Sequence, residues 1–290
     1  MIMINSNVFR TLFLLIALLF CLTAWPDNAK ESVLVGMGNS IGAGTFAVSA
    51  KGMPRDPEMN WWYQFVLKVI SLESHSFLSR IEQMLEADPS ANSKWKRHNL
   101  AIPGHDLGDI LRVQLPEALK LQPDLIYVEA FANDVCATDP SGMTSFEKYF
   151  SELSYLTHEL MENTNAIIVL VAAPDLSLQS NLNREKKMWW PASWVFGTYG
   201  DMWERTQLCN TLTTGKYTEL VRKRLELYNA AMEGLAIAYS DRICYTYGSA
   251  MQTFENKHLS WVDKFHPSKA GQQYLASKAY AFSGTCTQLE

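Results

Sequence analysis

A serine held between glycines at the end of an apolar run is the feature of this sequence with the most chemical promise. Residues 32–45 read SVLVGMGNSIGAGT: Val33, Leu34 and Val35 have strand character, and the chain then enters a loop of Gly, Ser, Asn and Ala. Glycine accepts positive φ and lets other groups approach the backbone closely, so Ser40 can present its hydroxyl together with free backbone N–H groups. A nucleophile beside an oxyanion site needs that environment. A plain glycine-rich turn between strand and helix would use the same residues, so the stretch decides nothing by itself. Two phosphate-binding readings fall away. No Gly-Lys-Ser/Thr closes the stretch as a P-loop requires, and Gly36-x-Gly38 is followed by Ile41 where a dinucleotide fingerprint needs its third glycine.

Far downstream stands Trp261-Val262-Asp263-Lys264-Phe265-His266-Pro267-Ser268. Asp263 and His266 are three residues apart in a turn that enters a helix, so their side chains can meet. An aspartate that accepts from one imidazole nitrogen fixes the tautomer and leaves the other nitrogen free to take a serine proton. Two further positions complete a possible acyl-transfer site. Gly104 follows the segment His98–Ile102 and Pro103, where its N–H can point into the site, and Asn133 in Phe131-Ala132-Asn133-Asp134 carries an amide that can donate to a developing oxyanion. Taken singly, each pattern is as compatible with a surface hydrogen bond or a turn.

The elements that must position these residues alternate regularly. Val33–Val35, Trp95–Ile102, Leu125–Ala130, Ala166–Ala173 and Arg242–Tyr247 read as strands. Between and after them, Asn60–Ser71, Phe77–Ala87, Asp109–Leu121, Ser145-capped Phe146–Asn163, Tyr217–Tyr239 and Pro267–Phe282 have helical spacing or helical composition. In the Ser145-capped helix, Phe146, Phe150, Leu153, Leu156 and Leu160 fall on one face. Apolar strands alternating with helices predict an α/β fold with a parallel sheet covered on both faces. In such folds ligands bind beyond the carboxyl ends of the strands. Every candidate residue above falls at such an end.

The chain has 290 residues, of which 48% are hydrophobic and 19% charged, with a formal net charge of −5. This balance predicts a folded globule and argues against nucleic acid as a partner, since no basic patch with interleaved aromatics is present. Residues 1–24 read as a signal peptide: Arg10 is followed by the apolar run Thr11–Leu22, too short to span a membrane, and by small Ala24. An uncleaved N-terminal anchor is the alternative. Export leaves Cys136, Cys209, Cys244 and Cys286, an even number whose spacings match no zinc motif. Two disulfides with three possible connectivities follow. Adjacency of the third and fourth strands favours Cys136–Cys209 over the other pairings and leaves Cys244–Cys286. No metal-ligand or cofactor pattern is present.

One connection is too long for an ordinary link. Residues 176–212, within a single domain over 25–290, hold Trp189, Trp190, Trp194, Phe196, Tyr199 and Trp203 and the charged run Arg184–Lys187. Two readings stand: an extra helical layer packed by its own aromatics, or a lid that borders the Ser40 pocket and offers Trp189, Trp190 and Trp194 to substrate.

Together, and in this order, the Ser40, Gly104, Asn133 and Asp263–His266 blocks resemble the GDSL/SGNH hydrolase superfamily over residues 32–282. The resemblance implies a flavodoxin-like three-layer α/β/α fold on a five-stranded parallel sheet. It also implies Ser40 as nucleophile, His266 as general base, Asp263 as its orienting partner, and an oxyanion hole from the Ser40 and Gly104 N–H groups and the Asn133 amide, with no cofactor. Two departures are visible: Asn39 stands where the family usually has aspartate, and Phe131 where it usually has glycine. Cys136, close behind Asn133-Asp134, is similar to the acyloxyacyl hydrolase and phospholipase B-like branch. The expected activity is that of an exported serine esterase or lipase acting on lipid or acylated-glycan esters, with peripheral membrane contact as a further expectation. Acyl transfer to or from a carbohydrate, and a non-catalytic binding protein on the same fold, are the alternatives.

Overall fold

The computed structural model describes residues 30–45, 76–88, 93–178, 183–188 and 192–283. The signal-peptide segment, the helix expected over Asn60–Ser71, Trp189, Trp190 and Cys286 lie outside the described residues.

The described residues form one parallel sheet of five strands in the order β2-β1-β3-β4-β5. Strand β1 (Lys30–Gly38) runs beyond the apolar Val33–Val35, because its polar first residues pair with the start of β2, Lys30 opposite Ser93 and Glu31 opposite Lys94. Helix α1 (Phe77–Ala87) begins at Ser76, whose side chain accepts from the Ser79 N–H, and has the predicted bounds. Strand β2 (Ser93–Asn99) is an edge strand, which explains its polar sequence SKWKRHN. Arg97 on β2 pairs with Glu82 on α1 at 2.8 Å.

The helix expected over Asp109–Leu121 has an irregularity that proves relevant to the site. A single turn, Leu107–Asp109, is followed by the π-helical segment Ile110–Gln114 and then by α2 (Leu115–Leu121). Pro116 has no N–H to offer the carbonyl four residues back. The preceding turn widens, so that the Leu115 N–H reaches the Ile110 carbonyl. Such widened turns occur often at functional sites. This one carries Gln114 into the interior.

Strand β3 (Leu125–Glu129) is buried at every position. Helix α3 (Phe146–Asn163) starts at Ser145 as expected, with the Ser145 side chain accepting from the Lys148 N–H. Its buried face corrects the sequence reading by one position at the start: Tyr149 is buried and Phe150 is exposed. Tyr149 wins the interior because its ring stacks on Tyr228 at 3.8 Å and its hydroxyl donates to the Ala130 carbonyl at 2.5 Å.

Strand β4 (Ile167–Leu170) is shorter than Ala166–Ala173. The Val171 N–H still bonds the Val128 carbonyl, and beyond it the ladder gives way to side-chain bonds, the Ala172 N–H donating to Thr246 Oγ1 and the Ala173 N–H to Asn229 Oδ1. The long connection then folds into α4 (Ala192–Phe196), α5 (Tyr199–Thr206) and α6 (Asn210–Thr213). Helix α7 (Thr218–Ala238), strand β5 (Ile243–Tyr245) and helix α8 (Lys269–Ser283) complete the described elements.

Helices α1 and α8 pack on each other over one face of the sheet, and α2, α3 and α7 form the layer on the other. From β1 the chain goes to β2 on one side and then crosses back to β3 on the other. The carboxyl end of β1 is therefore the point where the strand order reverses, the place such sheets offer to ligands. Ser40 is two residues past that end.

Candidate active site

The turn after β1 is built by short-range bonds. Asn39 Oδ1 accepts from the Ile41 N–H at 3.0 Å, and the Ala43 and Thr45 N–H groups return to the Asn39 and Ser40 carbonyls at 2.8 and 2.9 Å. Two buried glutamines, both missed by sequence reading, hold it from outside. Gln114 donates to the Gly38 carbonyl at 2.7 Å and accepts the Gly38 N–H at 2.8 Å, so its amide joins the Ile102 N–H, which reaches the same carbonyl at 3.1 Å, in closing the end of β1. Gln272 of α8 donates to the Ile41 carbonyl at 3.0 Å. No local sequence pattern marks either residue, because the partner of each is backbone far away in the chain.

Ser40 and His266, 226 positions apart, meet with Oγ and Nε2 at 3.0 Å. The other ring nitrogen, Nδ1, lies 2.5 Å from Asp263 Oδ2. Asp263 Oδ1 accepts the Phe265 and His266 N–H groups at 3.0 and 3.1 Å, so one carboxylate shapes the turn with one oxygen and faces the imidazole with the other. Because a carboxylate only accepts, the imidazole carries its proton on Nδ1 and keeps Nε2 open toward the serine. All three side chains are buried.

The expected oxyanion donors are each held locally by the fold. Gly104 adopts φ +92° at an exposed position, a conformation that favours glycine. Neither its N–H nor that of Ser40 has an acceptor among the described residues. Asn133 Nδ2 donates to the His105 carbonyl at 2.9 Å, which fixes the amide and leaves its second N–H for another acceptor. The His105 ring in turn lies 3.3 Å from Gln114 Nε2. One chain of bonds thus runs from the β1 end through Gln114 and His105 to Asn133. Preorganised N–H groups around a nucleophilic oxygen are what stabilise a tetrahedral oxyanion.

The aromatic connection is only partly what its sequence suggests. Trp203 is buried, its indole N–H donating to the Asp263 carbonyl at 2.9 Å, and it belongs to a small core with Met188, Tyr199 and Met202. It is therefore no part of a substrate wall. The Tyr199 hydroxyl donates to the Trp261 carbonyl at 2.5 Å. Helix α5 thus buttresses the Asp263–His266 turn, a role that only the tertiary contact reveals. Trp194, by contrast, is 78% exposed, as is much of Trp261. Trp189 and Trp190 lie outside the described residues. Replacing Trp203 by Phe leaves the buried Asp263 carbonyl without that donor. The expected result is a loss of about 1–3 kcal/mol in stability, read from urea unfolding, with kcat falling more than KM rises.

The disulfide Cys136–Cys209 is present, with Cα atoms 4.8 Å apart, and ties the loop after Asn133 to the start of α6. Beside it Thr211 Oγ1 donates to the Val135 carbonyl at 2.5 Å and accepts from the Ala137 N–H at 3.0 Å. Cys244 is also disulfide-bonded; Cys286, its expected partner, lies outside the described residues. No cluster of three or more His, Cys, Asp or Glu side chains suited to a metal occurs among the described residues.

The GDSL-like lipase/acylhydrolase family matches residues 37–274. No curated protein matches the chain. Among solved structures, the acetylxylan esterase Axe2 from Geobacillus stearothermophilus superposes with a TM-score of 0.54 at 15% identity, over 89% of this chain and 97% of that one. LAE5, an α/β hydrolase enzyme from the metagenome of Lake Arreo, Spain, superposes with a TM-score of 0.54 at 17% identity, over 90% and 98%. At these identities the likeness is one of fold.

Proposed function

We propose, from the premise that the chain belongs to the GDSL-like lipase/acylhydrolase family and is a hydrolase acting on ester bonds, that Ser40, His266 and Asp263 are its catalytic triad. The observation that carries this is the 3.0 Å approach of His266 Nε2 to Ser40 Oγ, with Asp263 on the far nitrogen. Ser40 Oγ attacks the ester carbonyl carbon as its proton passes to Nε2. The carbonyl oxygen becomes an oxyanion held by the Ser40 and Gly104 N–H groups and the Asn133 amide. Collapse breaks the bond to the alcohol, which leaves with the proton from His266, and an acyl-serine remains. Water then gives a proton to His266 and attacks the acyl carbon. The acid departs, and Ser40 recovers its proton from His266.

For substrate we propose short acyl esters on a carbohydrate. Trp261, two residues from Asp263, and Trp194 on α4 are both exposed, and indole faces suit the apolar faces of sugar rings. Axe2, the distant structural relative, is an acetylxylan esterase, and catalytic mutants of it replace a serine, an aspartate and a histidine. The lipid alternative draws on Lys186 and Lys264, close enough for mutual repulsion to help hold the Lys264 ammonium below its ordinary range, after burial. The expected result is faster release of acetate from acetylated xylooligosaccharides than of fatty acid from anionic phospholipid vesicles, followed by chromatography of the freed acids. The reverse order would replace the glycan reading by the lipid one. We further propose that the protein is exported, on the pattern of residues 1–24 and the Cys136–Cys209 bond, since disulfides persist in oxidising compartments.

A further inference from the structure

Beneath the Ser40 turn lies a carboxyl group with no role in the chemistry above. Glu129 is the last residue of β3 and is 3% exposed. Its Oε2 accepts the Asn39 N–H at 3.3 Å and the Gly42 N–H at 3.1 Å. These two donors bracket Ser40 in the chain. The contact is close enough to dictate a neighbour: a Cβ at Gly38 would stand 2.9 Å from Oε2 and 2.7 Å from the Glu129 carbonyl oxygen, so only glycine admits the carboxyl at the end of β1. Oε1 is buried and has no hydrogen-bond partner.

We propose that Glu129 is a positioning residue for the nucleophile: as a neutral acid it gathers the Asn39 and Gly42 N–H groups onto one oxygen and so aims the Ser40 hydroxyl and N–H into the site. The inference rests on Ser40 being the nucleophile. Only an uncharged group suits this place. An anion directly under the turn would oppose the negative charge that develops on the other side of it during acyl transfer. The surroundings keep the proton on. Burial pushes the Glu129 carboxyl up to about 8, against the pull of the Asn39 and Gly42 N–H groups and the Asn39 side chain. The charged neighbour that bears on it most is a second carboxyl. Asp134, beyond the end of the same strand, raises it further, and Tyr149 of α3, held above its ordinary range chiefly by burial, feels Glu129 in turn. Asp134 is itself raised by burial, to about 7.

The test uses a reaction that needs no knowledge of the natural substrate. A fluorophosphonate ester phosphonylates an activated serine, the O–P bond forming as fluoride leaves and His266 takes the serine proton. Its rate on Ser40 is followed by mass spectrometry from pH 5.5 to 9.5 in the wild type, Glu129→Gln and Glu129→Ala. In the wild type labelling is expected to fall by about 10-fold above pH 8 as Glu129 ionises. In Glu129→Gln, whose amide oxygen can accept the same two N–H groups without ever ionising, that fall is absent. Glu129→Ala is expected to label at least about 10-fold more slowly at pH 7.5. Urea unfolding supplies a second readout. A carboxyl raised in the folded state adds stability that is fully present below its unfolded pKa and is lost as pH rises through its folded one. The wild type therefore loses stability between about pH 4.5 and 8 relative to Glu129→Gln. An alkaline fall of equal size in Glu129→Gln overturns the proposal, whether or not Glu129→Ala folds. Labelling of a folded Glu129→Ala at the wild-type rate does so too. Absence of labelling in the wild type at every pH overturns the Ser40 assignment as well.

Discussion

Purified Ser40→Ala is expected to lose ester turnover by about 10⁴-fold or more, with its thermal midpoint close to that of the wild type. His266→Ala is expected to match it rather than add to it. In the proposed triad the three residues act as one relay, so removal of either end of the Ser40–His266 contact at 3.0 Å is expected to stop proton transfer altogether, with the double variant no slower than either single one. Asp263→Asn is expected to cost less than loss of His266. Its Oδ1 still accepts the Phe265 and His266 N–H groups and so preserves the turn, while its amide no longer holds the imidazole in the useful tautomer. Hydrolysis of p-nitrophenyl acetate, with circular dichroism on each variant, reads both quantities. Near-normal turnover in Ser40→Ala would remove the triad assignment outright.

Asn133→Ala is the second large effect. Its amide gives one N–H to the His105 carbonyl and keeps the other for the site. Loss of one oxyanion donor is expected to lower kcat by about 10²–10³-fold with KM little changed, since the bond forms fully only in the tetrahedral state. Steady-state kinetics on the same ester separates the two parameters. A raised KM at constant kcat would instead make Asn133 a binding group for the ground-state ester. A loss shared equally by kcat and stability would point to the His105 carbonyl, left without its donor.

The sequence made the scaffold and the candidate groups legible for a physical reason: both are encoded locally. Apolar strands of a covered parallel sheet stand out from helical spacing, and Ser40, Gly104, Asn133 and the Asp263–His266 pair each lie in a short run with turn-forming neighbours. The parts that escaped are those whose partners are distant backbone. Gln114 looks like an ordinary helical glutamine until the widened turn before Pro116 delivers it to Gly38. Trp203 stands in a connection that reads equally as a packed layer or a lid, and only the fold places it under the Asp263 turn. Glu129 closes an apolar strand where a charge is unexpected, and that mismatch was the one available signal. The structure also gives the amide at Asn39 a setting. A second carboxylate there would stand beside Glu129, whereas the amide bonds Ile41 and stays neutral.

The bonds that complete the site have a consequence for how the protein comes into being. Ser40 waits for His266 across 226 positions, and the Ile41 carbonyl waits for Gln272 across 231. Contacts of such sequence separation form only after the large entropy of closing the intervening chain has been met, and they depend on parallel strands that themselves need long crossovers. A chain emerging from synthesis therefore carries Ser40 without its His266 partner until the Asp263–His266 turn and α8 dock. The proposed reactivity at Ser40 is in this sense a property of the finished fold, and its appearance during refolding is expected to mark the arrival of α8.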